Sequence, residues 1–158
     1  MSENKSHDSI VIERTFDAPI GRIWALWTEA DQFQQWYGPQ GMTIPVANMD
    51  VRVGGKRLIC MAMNMPDRQM KMWFTGEYKE VVPTTRLVYT DSMSDENGNV
   101  LSPAAMGMPG HPEVTEVIVE LTDLGERTKM TMTHMGVPAG SPGEGGWKQA
   151  FEKMNALL

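Results

Sequence analysis

A chain of 158 residues can bury a core without help from a metal or disulfide, since a protein of this size withdraws roughly 68–70% of its unfolded surface from water. Lys and Arg number 14 against 20 Asp and Glu, a net charge of −6, which argues against the clustered basic face of a nucleic-acid binder. The single Cys60 closes no internal bridge, the polar start lacks the apolar stretch of a secretory leader, and no apolar run approaches the ~18 residues that span a bilayer, so a cytoplasmic protein away from membranes is expected.

Residues 8–16 alternate, with Ile10, Ile12 and Arg14 on one side and Val11, Glu13 and Thr15 on the other, the pattern of a half-buried strand. Ala18-Pro19 then opens a helix where proline's missing N–H costs nothing, and Ile20, Ile23, Trp24 and Trp27 recur on one face. Thr28 is placed to cap a second short helix over 29–36, with Asp31 in the capping-box position, and Gly38-Pro39 stops it. Strands are predicted at 42–52, 56–65, 69–82 and 86–91, joined by Gly54-Gly55, Pro66-Asp67-Arg68 and Pro83-Thr84-Thr85, all turn chemistry. A loop over 92–112, rich in Ser, Asn, Gly, Pro and Met, exceeds the usual length of a structureless connection and reads as a lid or as disorder. Strands at 114–121 and 127–134 flank a turn at Asp123-Leu124-Gly125-Glu126. The closing helix follows the Gly/Pro-rich segment 136–146 and carries Trp147, Ala150, Phe151, Met154 and Leu158 on one stripe.

Several short signatures recur in this order: Arg14-x-Phe16-x-Ala18-Pro19, Trp24, Thr28, Trp36-Tyr37-Gly38-Pro39, Asp50-x-Arg52-x-Gly54-Gly55, Gly76-x-Tyr78-x-Glu80, the run from Arg86 to Thr90, and Gly145-Gly146-Trp147. By these the chain resembles the START-like superfamily, and within it the proteins similar to the C-terminal domain of the activator of the ninety-kilodalton heat-shock chaperone ATPase. The resemblance implies an α+β helix-grip fold (Bet v 1/START-like): a curved antiparallel sheet of about seven strands wrapped around a long C-terminal helix, with two short helices after the first strand. It would form a single domain over 1–158, with residues 1–7 a flexible tail. Departures are the second indole at Trp27, Tyr37 where tryptophan is frequent, the 92–112 loop and the early end of the closing helix.

The chemistry-bearing residues are sparse. Fifteen methionines include Met61, Met63 and Met65 on one strand face, Met70 and Met72 on the next, and Met130 and Met132 further on. They read as adaptable filling of a core or cavity. The sharper alternative is thioether ligation of Cu(I), though alternation turns Cys60 away from Met61 and Met70 would have to come into register. His7 and His111 fall in the tail and the long loop, while His134 shares parity with Met130 and Met132, where it either satisfies a strand-end contact or meets a ligand. No His-x-His, Glu-x-x-His or Cys-x-x-Cys spacing, nucleophile elbow or phosphate loop is present, so neither a metal nor a cofactor is expected, and the strand glutamates Glu77, Glu80, Glu113, Glu116 and Glu120 read as solvent-facing.

The aromatics are the better clue, because a helix lying over a sheet uses several as cavity walls. Candidate ligand contacts are Trp36 at the rim, Trp73, Met72 and Met132 on the sheet, His134 at a strand end, and Trp147 with Phe151 on the closing helix. Parity allows at most one of Met72 and Trp73 unless a bulge intervenes. The leading expectation is a non-enzymatic binder of a small hydrophobic or aromatic molecule, monomeric or homodimeric. The family also suggests a polyketide-cyclase-like enzyme, with His134 as its catalytic group, or a co-chaperone partnered with the heat-shock ATPase.

Overall fold

The computed structural model describes residues 9–103 and 112–158. Along the chain run β1 (Ser9–Phe16), α1 (Ile20–Thr28), α2 (Ala30–Phe33), β2 (Met42–Met49), β3 (Lys56–Asn64), β4 (Gln69–Val82), β5 (Arg86–Ser94), β6 (Thr115–Asp123), β7 (Thr128–Met135) and α3 (Pro142–Ala156). The strands form one seven-stranded sheet in the order β1-β7-β6-β5-β4-β3-β2, antiparallel at every pairing. The helix-grip architecture implied by the sequence is thereby observed. Among the described residues no helix is long and apolar enough to cross a membrane.

Register decides which side chains meet α3. Ile10, His134, Val117, Tyr89 and Tyr78 stand opposite one another in a single row across five strands, and period-2 alternation sends Ile12, Met130, Met132, Val119, Leu87, Phe74, Ile59 and Met61 to the same face. This face is the core. α3 lays Trp147, Ala150, Phe151 and Met154 onto it, all buried, as its periodicity requires. Pro45 is tolerated in β2 because that strand lies at the sheet edge and its register shifts between Thr43 and Val46.

Several boundaries differ from the sequence expectation. Thr28 does not cap α2; its hydroxyl donates back to the Trp24 carbonyl at 2.8 Å, and Glu29 precedes α2 with no side-chain cap bond. On α1 the buried residues are Ile23, Leu26 and Trp27, whereas Ile20 and Trp24 are half-buried. α3 begins at Pro142, five residues before Trp147, so Gly143, Gly145 and Gly146 lie inside the helix. Helical glycine costs about 1 kcal/mol relative to alanine, but a Cβ on Gly146 would sit 3.2 Å from the Pro39 ring and one on Gly143 3.1 Å from Val137. Close approach of the helix to its neighbours thus overrides local propensity.

Leu158 is 40% exposed and off the buried stripe, its place taken by Leu157. β5 runs to Ser94, and Asp95 then organises a tight turn by accepting from the backbone N–H groups of Asn97 and Asn99, each at 2.9 Å. The long connection therefore starts later than residue 92. His7, His111 and the tail over 1–7 lie outside the described residues, as does the 104–111 part of that connection.

Candidate ligand-binding site

Near its N-terminal end α3 stands off the sheet. Two adjoining cavities result, of about 430 Å³ and about 220 Å³, both lined by Phe74, His134, Pro142, Gly143 and Trp147. The larger reaches Asp91, Met93, Thr115, Val137 and Ser141, and the smaller reaches Tyr37, Pro39, Met61 and Ala150. The volume suits a drug-sized ligand. A broader and more open depression of about 900 Å³ is lined among others by Leu58, Thr75, Thr90 and Ser92, which alternation places on the sheet face away from α3.

Beside the inner cavity the sheet buries charge. Arg57 pairs with Gly76; Thr75 pairs with Ser92 and Tyr78 with Tyr89, which puts Gly76 beside Asp91. Gly76 has no side chain, and a Cβ there would run into the Thr90 carbonyl oxygen. Arg57 and Asp91 consequently meet across it, Nη1 to Oδ1 at 3.7 Å, with the two side chains 1% and 11% exposed. The guanidinium lies 3.8 Å from the centre of the Tyr89 ring, with Phe33 and Tyr78 at 5.5 and 5.8 Å, a cation–π enclosure.

Burial by itself would pull the Arg57 pKa down, but the phenols of Tyr89, Tyr78 and Tyr37 and the Asp91 carboxylate outweigh it, so this cation stays charged. Burial raises Asp91 from 3.8 to about 6, with Arg57 opposing the shift. Tyr37 and Tyr89 are held above the ordinary phenol range, chiefly by burial. Three polar atoms of this cluster, Arg57 Nη1, Asp91 Oδ1 and the Tyr89 hydroxyl, have no hydrogen-bond partner among the described residues, and neither does the Ser141 hydroxyl at the start of α3.

His134 is placed differently. Trp147 Nε1–H donates to its Nδ1 at 3.0 Å, so the ring proton sits on Nε2, which lies 2.8 Å from Thr115 Oγ1. That hydroxyl donates in turn to the Asp91 main-chain carbonyl at 3.1 Å. The donor directions fix the neutral Nε2–H tautomer, and burial lowers the imidazole pKa to about 4. Both nitrogens are engaged within the protein, which leaves no lone pair free to take a substrate proton.

Of the seven candidate contacts, the structure brings His134 and Trp147 to the cavity. Trp36 is not at the rim: it is fully buried, its Nε1–H donates to the Leu26 carbonyl at 2.7 Å, and it packs edge-on against Trp27 at 4.7 Å. Met132 and Phe151 are likewise fully buried in the core. Parity settles the β4 pair, since Met72 stands with the core whereas Trp73 is on the opposite face, paired with Cys60. Register aligns Met42 with Met63 and Met63 with Met70, and Met61 with Met72; Met61 lines the smaller cavity and the others extend the thioether surface outward. Met65 is exposed.

Sequence reasoning missed Phe74, Asp91, Arg57, Thr115 and Ser141. A signal existed for two of them. Asp91 shares parity with Leu87 and Tyr89, and Arg57 with Ile59 and Met61, so an ionisable group on each apolar face was visible. The turn Trp36-Tyr37-Gly38-Pro39 also gains a role, for Lys153 Nζ donates to the carbonyls of Tyr37 and Pro39 at 3.2 and 3.3 Å and ties α3 over the cavity.

Comparison with known proteins agrees with this architecture. A family model described as Activator of Hsp90 ATPase homolog 1-like protein matches residues 17–158. A solved protein of Chromobacterium violaceum is 25% identical, with 96% of each chain covered and a TM-score of 0.77. One of Arthrobacter aurescens is 26% identical, covering 96% of this chain and 86% of that one, with a TM-score of 0.76. The AHSA1 protein of Silicibacter pomeroyi, 18% identical over 95% of this chain and 96% of its own, shares the fold with a TM-score of 0.71. A search of curated proteins found no match.

Proposed function

We propose, from the premise that this chain belongs to the family of activator of Hsp90 ATPase homolog 1-like proteins, that it is a non-enzymatic cytoplasmic protein binding a small hydrophobic or aromatic molecule between α3 and the sheet. The observation carrying this reading is the pair of adjoining cavities walled by Phe74, Pro142 and Trp147, on a face whose other residues pack a dense core. An apolar wall with a few convergent polar groups is the usual make-up of a small-molecule site. The engagement of both His134 nitrogens favours binding over proton-transfer chemistry.

Titration with the neutral fluorophore N-phenyl-1-naphthylamine tests the proposal. Its emission should rise on addition of the protein and fail to rise with Met93→Trp, which fills the larger cavity from the β5 wall. Equal enhancement by the filled variant would place the dye elsewhere and remove the support for this site.

A further inference from the structure

We propose that the cavity selects a neutral aromatic or alicyclic molecule carrying a hydroxyl or similar hydrogen-bond donor, which Asp91 accepts, over a plain hydrocarbon or an organic anion. This inference rests on the binding reading above and names the ligand chemistry of the same site.

It starts from what the wall leaves unmet. Asp91 Oδ1 and Ser141 Oγ are buried without a hydrogen-bond partner among the described residues, and both residues line the larger cavity. A buried polar atom without a partner carries a desolvation penalty that a bound group relieves. A carboxylate only accepts, so what relieves Asp91 must donate. Arg57 Nη1 faces Asp91 Oδ1 at 3.7 Å, so that oxygen is held against the guanidinium, and the acceptor open to a ligand in the cavity is the second oxygen of the same carboxylate.

Ser141 is the N-cap residue of α3, where a serine hydroxyl ordinarily accepts from the first turn. Here it makes no such bond; the Glu144 N–H goes to the Ser141 main-chain carbonyl at 3.0 Å instead. The hydroxyl is thereby left without a partner, buried at the edge of the cavity that the residue lines. His134 is not a competing contact, because Trp147 and Thr115 occupy its two nitrogens.

Charge narrows the class further. A ligand anion would be set against the Asp91 carboxylate, with Glu113 also on the cavity wall, and a ligand cation would meet the buried Arg57 guanidinium alongside Asp91. A neutral donor avoids both repulsions. The rest of the lining, Phe74, Met93, Pro112, Val137, Pro142 and Trp147, takes an apolar ring system.

Four bicyclic probes of similar size test this by calorimetric titration of the full chain at pH 7.5: 2-naphthol, 2-methoxynaphthalene, 2-naphthoate and the cationic 2-naphthylmethylamine. The expected result is that 2-naphthol binds about tenfold or more tightly than its methyl ether, which cannot donate, and more tightly than either charged probe. Ser141→Ala should weaken 2-naphthol and its ether alike and leave their ratio unchanged, because a ligand whose one proton goes to Asp91 can only accept from that hydroxyl, and an ether oxygen accepts as well. Asp91→Asn, which keeps the shape and loses the charge, should narrow the gap between alcohol and ether. Should that variant not fold, the four-probe comparison on the unaltered chain still decides.

Equal affinity for alcohol and ether would overturn the inference and leave the binding function standing. Tightest binding of 2-naphthoate would also overturn it and make Arg57 the group that reads the ligand, and tightest binding of the amine would overturn the preference for a neutral donor. Binding of none of the four would sink the proposed function, and this inference with it.

Discussion

The two buried titratable groups of the cavity should give the protein opposing dependences on pH, separable by substitution. His134 falls from 6.5 to about 4 on folding because burial penalises its charged form. The folded state therefore binds fewer protons than the unfolded state between those values. The stability this group confers is complete above about pH 6.5 and is lost as pH falls toward 4. Asp91 rises from 3.8 to about 6 through burial, so the folded state binds more protons. Its contribution is complete below about pH 4 and is lost as pH rises through 6.

At 1.36 kcal/mol per pKa unit, each effect is worth about 3 kcal/mol, and in the unaltered chain the two nearly offset across pH 4–6.5. The other groups packed against Asp91 stay silent there: Arg57 remains charged, and Tyr37 and Tyr89 remain neutral because both phenols are raised. The assay is urea unfolding followed by tryptophan emission at pH 4, 5, 6 and 7 for the unaltered chain, His134→Gln and Asp91→Asn. Subtracting variant from parent cancels every titration they share, and a pH-independent loss from leaving Arg57 unpaired shifts only the baseline.

The parent's advantage over His134→Gln should shrink by about 3 kcal/mol from pH 7 to 4. Its advantage over Asp91→Asn should grow by a similar amount across the same range. A flat difference curve for His134→Gln would mean that the imidazole titrates as it would in water, which refutes the closed Trp147–His134–Thr115 chain. A flat curve for Asp91→Asn would mean that the carboxylate is solvated and does not lie in an apolar wall. The double variant measures how far the two groups interact through their shared cavity.

Two further substitutions test the framework around these groups. Gly76→Ala puts a methyl group against the Thr90 carbonyl, where β4 and β5 must separate to admit it; a loss of about 3 kcal/mol or failure to fold is expected in chemical denaturation, and a neutral outcome would contradict the close approach that lets Arg57 reach Asp91. Trp147→Phe removes the donor to His134 Nδ1 and opens a path for water, so the His134 pKa, followed by imidazole NMR, should climb from about 4 toward its ordinary value; no movement would assign the whole shift to burial by other residues.

How much of this was visible in the chain depends on how local each cause is. The strand and turn order was legible because turn chemistry and alternation act over a few residues: β4 occupies the predicted 69–82 span, and His134 keeps the parity of Met130 and Met132. The start of α3 was not. Three glycines and a proline argue locally for a loop, and only the contacts of Gly143 with Val137 and of Gly146 with Pro39 make a glycine-bearing first turn the better solution. Trp36 was misplaced for the same kind of reason, since its depth is set by the Leu26 carbonyl ten residues away, which fixes the indole inside the core.

The polar half of the site needed register as well as parity. Parity already put Arg57 and Asp91 on apolar faces, but they belong to strands that are not neighbours, and what joins them is the missing side chain of Gly76 on the strand between. An inward Arg on one strand, an inward Asp two strands away and a glycine at the intervening position form a pattern that can be sought once a meander is assigned. In this fold it forces a charge pair onto the edge of an otherwise apolar cavity. Buried charge is seldom the cheapest way to stabilise a sheet, and this pair sits at 3.7 Å with aromatic rings enclosing its guanidinium. Under the proposed binding function, the place of this pair at the cavity edge would serve the ligand rather than the sheet.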